Sequence, residues 1–108
     1  MQILIKEENG FMPATLINIK EDVVEIEENR KTRTLKYSNQ EIKEIMSYLL
    51  DLFKPWKDKY IQNKIIDDEI YTISIISKVN KEIYIKNKYP ANWDKFIVFR
   101  NKLVREEL

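Results

Sequence analysis

The sequence predicts one α+β domain over residues 1–108: an antiparallel β-sheet of about six strands, in the order β-β-β-β-α-β-β-α, with two main helices packed on one face. Three observations carry this prediction. Short β-branched runs with period-two alternation are separated by turn residues. A capping box opens a stripe of apolar residues at helical spacing. A second apolar stripe at that spacing closes the chain. At 108 residues there is room for one core and none for a second. With 44% hydrophobic and 34% charged residues, the chain has material for both a core and a soluble surface.

The strands are read in order. Gln2 to Lys6 is the first, ended by Glu7-Glu8-Asn9-Gly10, where the only glycine sits at a turn that can need positive φ. Ala14 to Lys20 is the second, with Pro13 confined to its start. In Val23 to Glu28, Val24 and Ile26 alternate with Glu25 and Glu27, which predicts one buried face and one carboxylate face. Asn29-Arg30-Lys31 turns into a fourth strand, Thr32 to Lys36, and this hairpin should bring Arg33 or Lys31 within cross-strand reach of the glutamates. After the first helix, Ile70 to Ser77 puts Tyr71, Ile73 and Ile75 on one face. Lys78-Val79-Asn80-Lys81 then turns into Glu82 to Lys88.

Ser38-Asn39-Gln40-Glu41 has capping-box spacing, so a helix should begin near Asn39. Ile42, Ile45, Met46, Leu49 and Phe53 then form the stripe of a helix laid on a sheet, and Pro55 should end it. Pro55 to Ile66 reads as a second helical turn, with Pro55 at its first position and Trp56, Tyr60 and Ile61 on it. Asn92 is the expected N-cap of the last helix, whose buried face is Trp93, Phe96, Ile97, Leu103 and Val104. Met1-Gln2-Ile3 followed by Lys6 resembles the first strand of ubiquitin. The likeness stops there, because Val23 to Glu28 alternates as a strand where a β-grasp fold would place its helix.

The first apolar stretch is too short for a secretory h-region, no window approaches the roughly 18 apolar residues of a membrane span, and cysteine is absent. A cytoplasmic protein with no membrane contact is expected. Heavy use of Ile, Lys and Asn is the bias of an AT-rich genome, which points to a bacterial or phage source.

The residue inventory excludes much chemistry. Without histidine or cysteine there is no Ser-His or Cys-His nucleophile, no general base titrating near neutrality and no nitrogen or sulfur zinc ligand. One glycine cannot write a phosphate-cradling loop or a dinucleotide fingerprint. Asp67, Asp68 and Glu69 are the one carboxylate cluster that could serve a hard cation, but successive residues on a strand point to opposite faces, so the reading is a charged turn. No cofactor, no metal and no catalytic residue is expected.

Binding is what remains. Net charge is +1, yet residues 78–108 carry eight basic and four acidic side chains, and residues 1–53 carry seven and ten. Candidate partner-binding residues are therefore Lys86, Lys88, Lys95, Arg100, Lys102 and Arg105, some of which should share a surface. Trp56, Lys57 and Tyr60 join them, because cations interleaved with aromatics can hold a partner. The bland alternatives are a solvated lysine surface, and Trp56 and Tyr60 buried beneath snorkelling lysines. The expected function is a small non-enzymatic protein-binding module: an inhibitor, an immunity factor or an anti-defence factor of the anti-CRISPR kind, acting by occluding a partner's surface. Nucleic-acid binding through the basic C-terminal third is the alternative, and a carboxylate- or metal-dependent enzyme is the third.

Overall fold

The computed structural model describes residues 1–10, 12–63 and 68–108. Its chain order is β1 (Gln2–Asn9), β2 (Thr15–Ile19), β3 (Val24–Glu28), β4 (Lys31–Leu35), α1 (Asn39–Phe53), β5 (Lys59–Ile61), β6 (Glu69–Ile76), β7 (Lys81–Lys86) and α2 (Trp93–Val104). The strands form one sheet in the order β4-β3-β2-β1-β6-β7-β5. Every pairing is antiparallel except β5 with β7, which is parallel. β1 lies at the centre, and α1 carries the chain from the edge strand β4 to the opposite edge at β5.

Register explains the core. Ile3 faces Ile19 and Ile75 across the two ladders of β1, Ile5 faces Ile17 and Ile73, Ile17 faces Ile26, and Ile73 faces Ile83. These residues share one pleat face, and all are buried. Ile42, Ile45, Met46, Leu49 and Phe53 of α1 close over them, with Phe96, Leu103 and Val104 of α2. Among the described residues no helix covers the other face of the sheet, which carries Gln2, Lys6, Asn18, Glu25, Glu27, Thr72, Ser74 and Tyr84 together with Leu4, Leu16 and Ile76 at the alternate positions. The fold is therefore α+β in two layers, as the alternation predicts.

The helix starts differ in chemistry. Ser38 Oγ accepts from the Glu41 N–H at 3.1 Å and Glu41 Oε1 accepts from the Ser38 N–H at 2.9 Å, which completes the capping box. These hydrogen bonds hold the Glu41 carboxyl below its ordinary value. Asn92 does precede α2, but with φ 63° and ψ 22° it is left-handed and its side chain makes no cap bond. Its carbonyl instead accepts from the Lys95 and Phe96 amides.

Four local expectations are corrected. The sheet has seven strands, because Lys59–Ile61 is a strand rather than a helical turn. The outer edge of β7 offers backbone partners, and Tyr84 N–H donates to Asp58 O while Gln62 N–H donates to Lys86 O. That pairing outweighs the helical spacing of Trp56 and Tyr60. Ile65 and Ile66 lie outside the described residues. Second, Glu7, Glu8 and Asn9 belong to β1, since β6 is long enough to pair with them as far as Asn9 with Glu69, and Gly10 at φ 56° makes the turn. Third, Arg33 shares the core-side pleat with Ile26, so it cannot meet Glu25 or Glu27, whose cross-strand neighbours are Thr34 and Thr32. Arg33 reaches Glu28 at 4.0 Å and donates to Val104 O at 2.8 Å, at the C-terminus of α2. Fourth, the last strand ends at Lys86.

The residue that ends it, Asn87, is left-handed at φ 58° and only 4% exposed, a buried polar side chain where β5, β6 and β7 end. Its Oδ1 accepts from Glu69 N–H at 2.8 Å, and its Nδ2 donates to Gln62 O at 3.1 Å and to Asp68 Oδ1 at 2.8 Å. One side chain thus ties the ends of β5, β6 and β7. Asn87→Ala removes three hydrogen bonds and puts a Cβ-bearing residue without side-chain compensation at positive φ. It should cost about 3 to 5 kcal/mol in urea unfolding, with Asn87→Gly recovering about 1 kcal/mol of that. On the helical side, Ile45→Asp should cost about 4 kcal/mol or more, since it removes apolar burial and introduces an unpaired charge. A melting transition unchanged by either substitution would contradict this packing.

Candidate interaction surface on the helical layer

The basic residues of the C-terminal third do not form one patch. Arg100 is held in a two-point ion pair, its Nε 2.8 Å and its Nη2 2.7 Å from the carboxylate oxygens of Glu7, with both side chains mostly buried. Burial works to lower the Arg100 pKa, and the hydrogen bonds and charge of Glu7 more than offset it, so the net shift is upward. Lys86 lies on the helix-free face of the sheet, 3.5 Å from Asp68 Oδ2. Lys88 is exposed in the loop beyond β7. Lys95, Lys102 and Arg105 remain together, at i, i+7 and i+10 along the outward side of α2.

The aromatic candidates also separate. Trp56 is 4% exposed and donates its indole N–H to Ala91 O at 3.0 Å, with its ring against Phe53, Trp93 and Phe96. It anchors the end of α1 to the start of α2. Tyr60 is half-buried and its hydroxyl accepts from the Lys57 N–H at 2.9 Å, so it closes the turn into β5, and the Lys57 side chain is exposed beside it. Asp67 lies outside the described residues. Asp68 meets Asn87 and Lys86, and Glu69 accepts from the Tyr89 hydroxyl at 2.7 Å. Among the described residues no three acidic side chains converge as a metal site.

What sequence reasoning missed lies on the outer face of the helical layer. α1 and α2 run antiparallel, with Tyr37 bonded to Leu103 O at one end and Phe53 against Phe96 at the other. Between these points Tyr48 stacks on Phe99, with ring centroids 4.3 Å apart and planes inclined by 21°. Tyr48 remains 41% exposed, Val98 56% and Leu108 43%. Two adjacent depressions of about 150 and 300 Å³ flank this stack, and Phe99 and Leu108 line both. Glu41 and Glu44 of α1 border the first. Asp94, Lys95 and Lys102 of α2 border the second. The surface is thus an apolar centre with an acidic wall from α1 and a mixed, net-basic wall from α2.

The signal was present in the spacing of α2. Phe96, Phe99 and Leu103, at i, i+3 and i+7, lie on its core-facing side, yet Val98 falls outside that arc and stands exposed on the outward side. An exposed apolar cluster rimmed by charge is the kind of surface on which partners or ligands dock. Nothing on this face activates a nucleophile or gathers carboxylates.

Away from this face, two phenols are held protonated. Burial, then the charges of Glu69 and Glu7, raises the Tyr71 pKa far above its ordinary value. Burial, then the hydrogen bond and charge of Glu69, pushes Tyr89 up to about 12. A raised folded-state value contributes stability in full below the unfolded phenol pKa of about 10, and that contribution is lost as pH rises through the folded value. Unfolding free energy should therefore fall between about pH 10 and 12. Tyr89→Phe and Tyr71→Phe should each flatten that fall in denaturant titrations taken across the range. An unchanged slope would show that these phenols carry no linkage.

Compared with protein-family models, curated proteins and solved structures, the chain matches none of them.

Proposed function

We propose that this protein is a non-enzymatic binding module that docks a partner protein on the outer face of α1 and α2. The observation that carries the reading is the apolar cluster of exposed Tyr48, Val98 and Leu108 around the half-buried Phe99, set between opposite charges. Rigid aromatics at the centre of a patch and charges at its rim are how protein interfaces divide anchoring from steering. The absence of histidine and cysteine from the sequence agrees with a role that makes and breaks no bonds. Within this class, the small size of the chain fits an inhibitor, immunity or anti-defence factor that works by covering its partner. Nucleic-acid binding has less support, because Arg100 and Lys86 are engaged by carboxylates and only Lys95, Lys102 and Arg105 share a stripe.

The test uses the tagged protein to recover a partner from the source cells, followed by titration of the purified partner. Val98→Asp should weaken that binding at least tenfold, and Thr72→Asp, on the helix-free face, should leave it within about twofold. Binding that survives Val98→Asp and fails in Thr72→Asp would move the site to the sheet. Titration with mixed-sequence DNA and RNA separates the alternative. Nucleic-acid binding would fall steeply between about 50 and 200 mM salt and would be lost on replacing Lys95, Lys102 and Arg105 together.

A further inference from the structure

We infer that the α1–α2 face also docks a second copy of this chain, forming a two-fold dimer in which the acidic wall of each copy meets the net-basic wall of the other. This rests on the reading of that face as a docking surface and names one occupant for it.

The charge layout is self-complementary about one axis only. Outward positions of α1 carry Glu44 and Asp51, and those of α2 carry Asp94, Lys95 and Lys102. Counted along the antiparallel helices from the Tyr48–Phe99 stack, Glu44 comes within about one residue of the level of Lys102 and Asp51 within about one of Lys95. A two-fold axis lying in the face and parallel to the helices places α1 of one copy over α2 of the other at the same level. Glu44 then opposes Lys102, which is the main pair and is repeated by symmetry, while Asp51 faces Lys95 with Asp94 beside it. The Tyr48–Phe99 stacks meet near the axis. An axis in the face but perpendicular to the helices would lay α1 on α1 and α2 on α2, with acids against acids and lysines against lysines.

Among the described residues none of Glu44, Asp51, Lys95 and Lys102 is in an ion pair, so all four are available to a second copy. Glu44 receives one 3.4 Å hydrogen bond from Gln40, and Glu41 is committed to the capping box. Size sets the strength. Two helices about 22 and 18 Å long, lying about 10 Å apart, present a footprint smaller than the roughly 800 Å² per partner of a standard interface. The dimer should therefore be of micromolar affinity, open to displacement by a tighter partner.

Sedimentation of the full chain over about 10 μM to 1 mM tests this. The wild-type mass should rise from 13.1 kDa toward twice that value. Glu44→Lys and Lys102→Glu should each weaken dimerisation at least tenfold, and the double reversal E44K/K102E should recover most of it. Circular dichroism confirms that each variant is folded. A wild-type protein that stays monomeric at about 1 mM, single reversals without effect, or a double reversal that fails to recover would each overturn the dimer. The partner reading is tested apart from it. A monomer that loses its partner in Val98→Asp overturns only the dimer, and a charge-dependent dimer whose partner binding ignores Val98→Asp overturns only the partner site.

Discussion

The fold depends on one geometric constraint: two helices must keep water from one whole face of a seven-stranded sheet. Seven strands at about 4.8 Å spacing span about 29 Å, and two helices side by side cover about 20 Å. The smallest extent of the molecule, 24 Å, agrees with one helical layer on one sheet layer. Coverage of the margins falls to long side chains. Trp56 and Trp93 extend the cover around the helix ends beside β6 and β7, where Tyr71 packs edge-on against Trp93. Toward β4, Arg33 and Tyr37 reach across to the last carbonyls of α2.

That constraint also explains where the polar groups go. α2 sits over the far end of β1, so Glu7 lies beneath a helix instead of in water, and a carboxylate there requires a partner that stays ionised. Arg100 supplies it with two hydrogen bonds in fixed geometry. At the corner where β5, β6 and β7 end, Asn87 satisfies three backbone and side-chain groups that would otherwise be stranded. Among the described residues no buried side-chain nitrogen or oxygen lacks a hydrogen-bond partner.

Legibility in the sequence followed the range of the interactions. Strands with period-two alternation and the capped helix α1 were readable because their signals are local: the buried Ile42, Ile45, Met46, Leu49 and Phe53 are the stripe the spacing predicts. Lys59–Ile61 was not readable as a strand, because its pairing partner β7 lies more than twenty residues later and its own three residues carry no alternation to speak of. The basic third of the chain was readable as charge but not as surface. Whether Arg100 faces water or Glu7 depends on a contact between residues far apart in sequence, and charge counting cannot see it. Trp56 failed as an interface residue for the same reason, since Ala91 and Trp93 close over it from the other end of the chain.

α2 is the element on which local rules and function part. A helix whose only task is to cover a sheet needs one apolar arc, and α1 comes close to that, with Glu41, Lys43, Glu44, Ser47 and Asp51 on its exposed side. α2 departs from this pattern. It spends Phe96, Leu103 and Val104 on the core, yet it keeps Val98 at the surface and leans Phe99 on Tyr48 at the rim. An exposed apolar side chain such as Val98 raises the risk of aggregation and adds little to this core, so a sequence that otherwise satisfies its polar groups so fully has a reason to retain it. On the proposed reading that reason is contact with another chain: the apolar centre supplies adhesion, and the charges on either side fix the direction in which it can be covered.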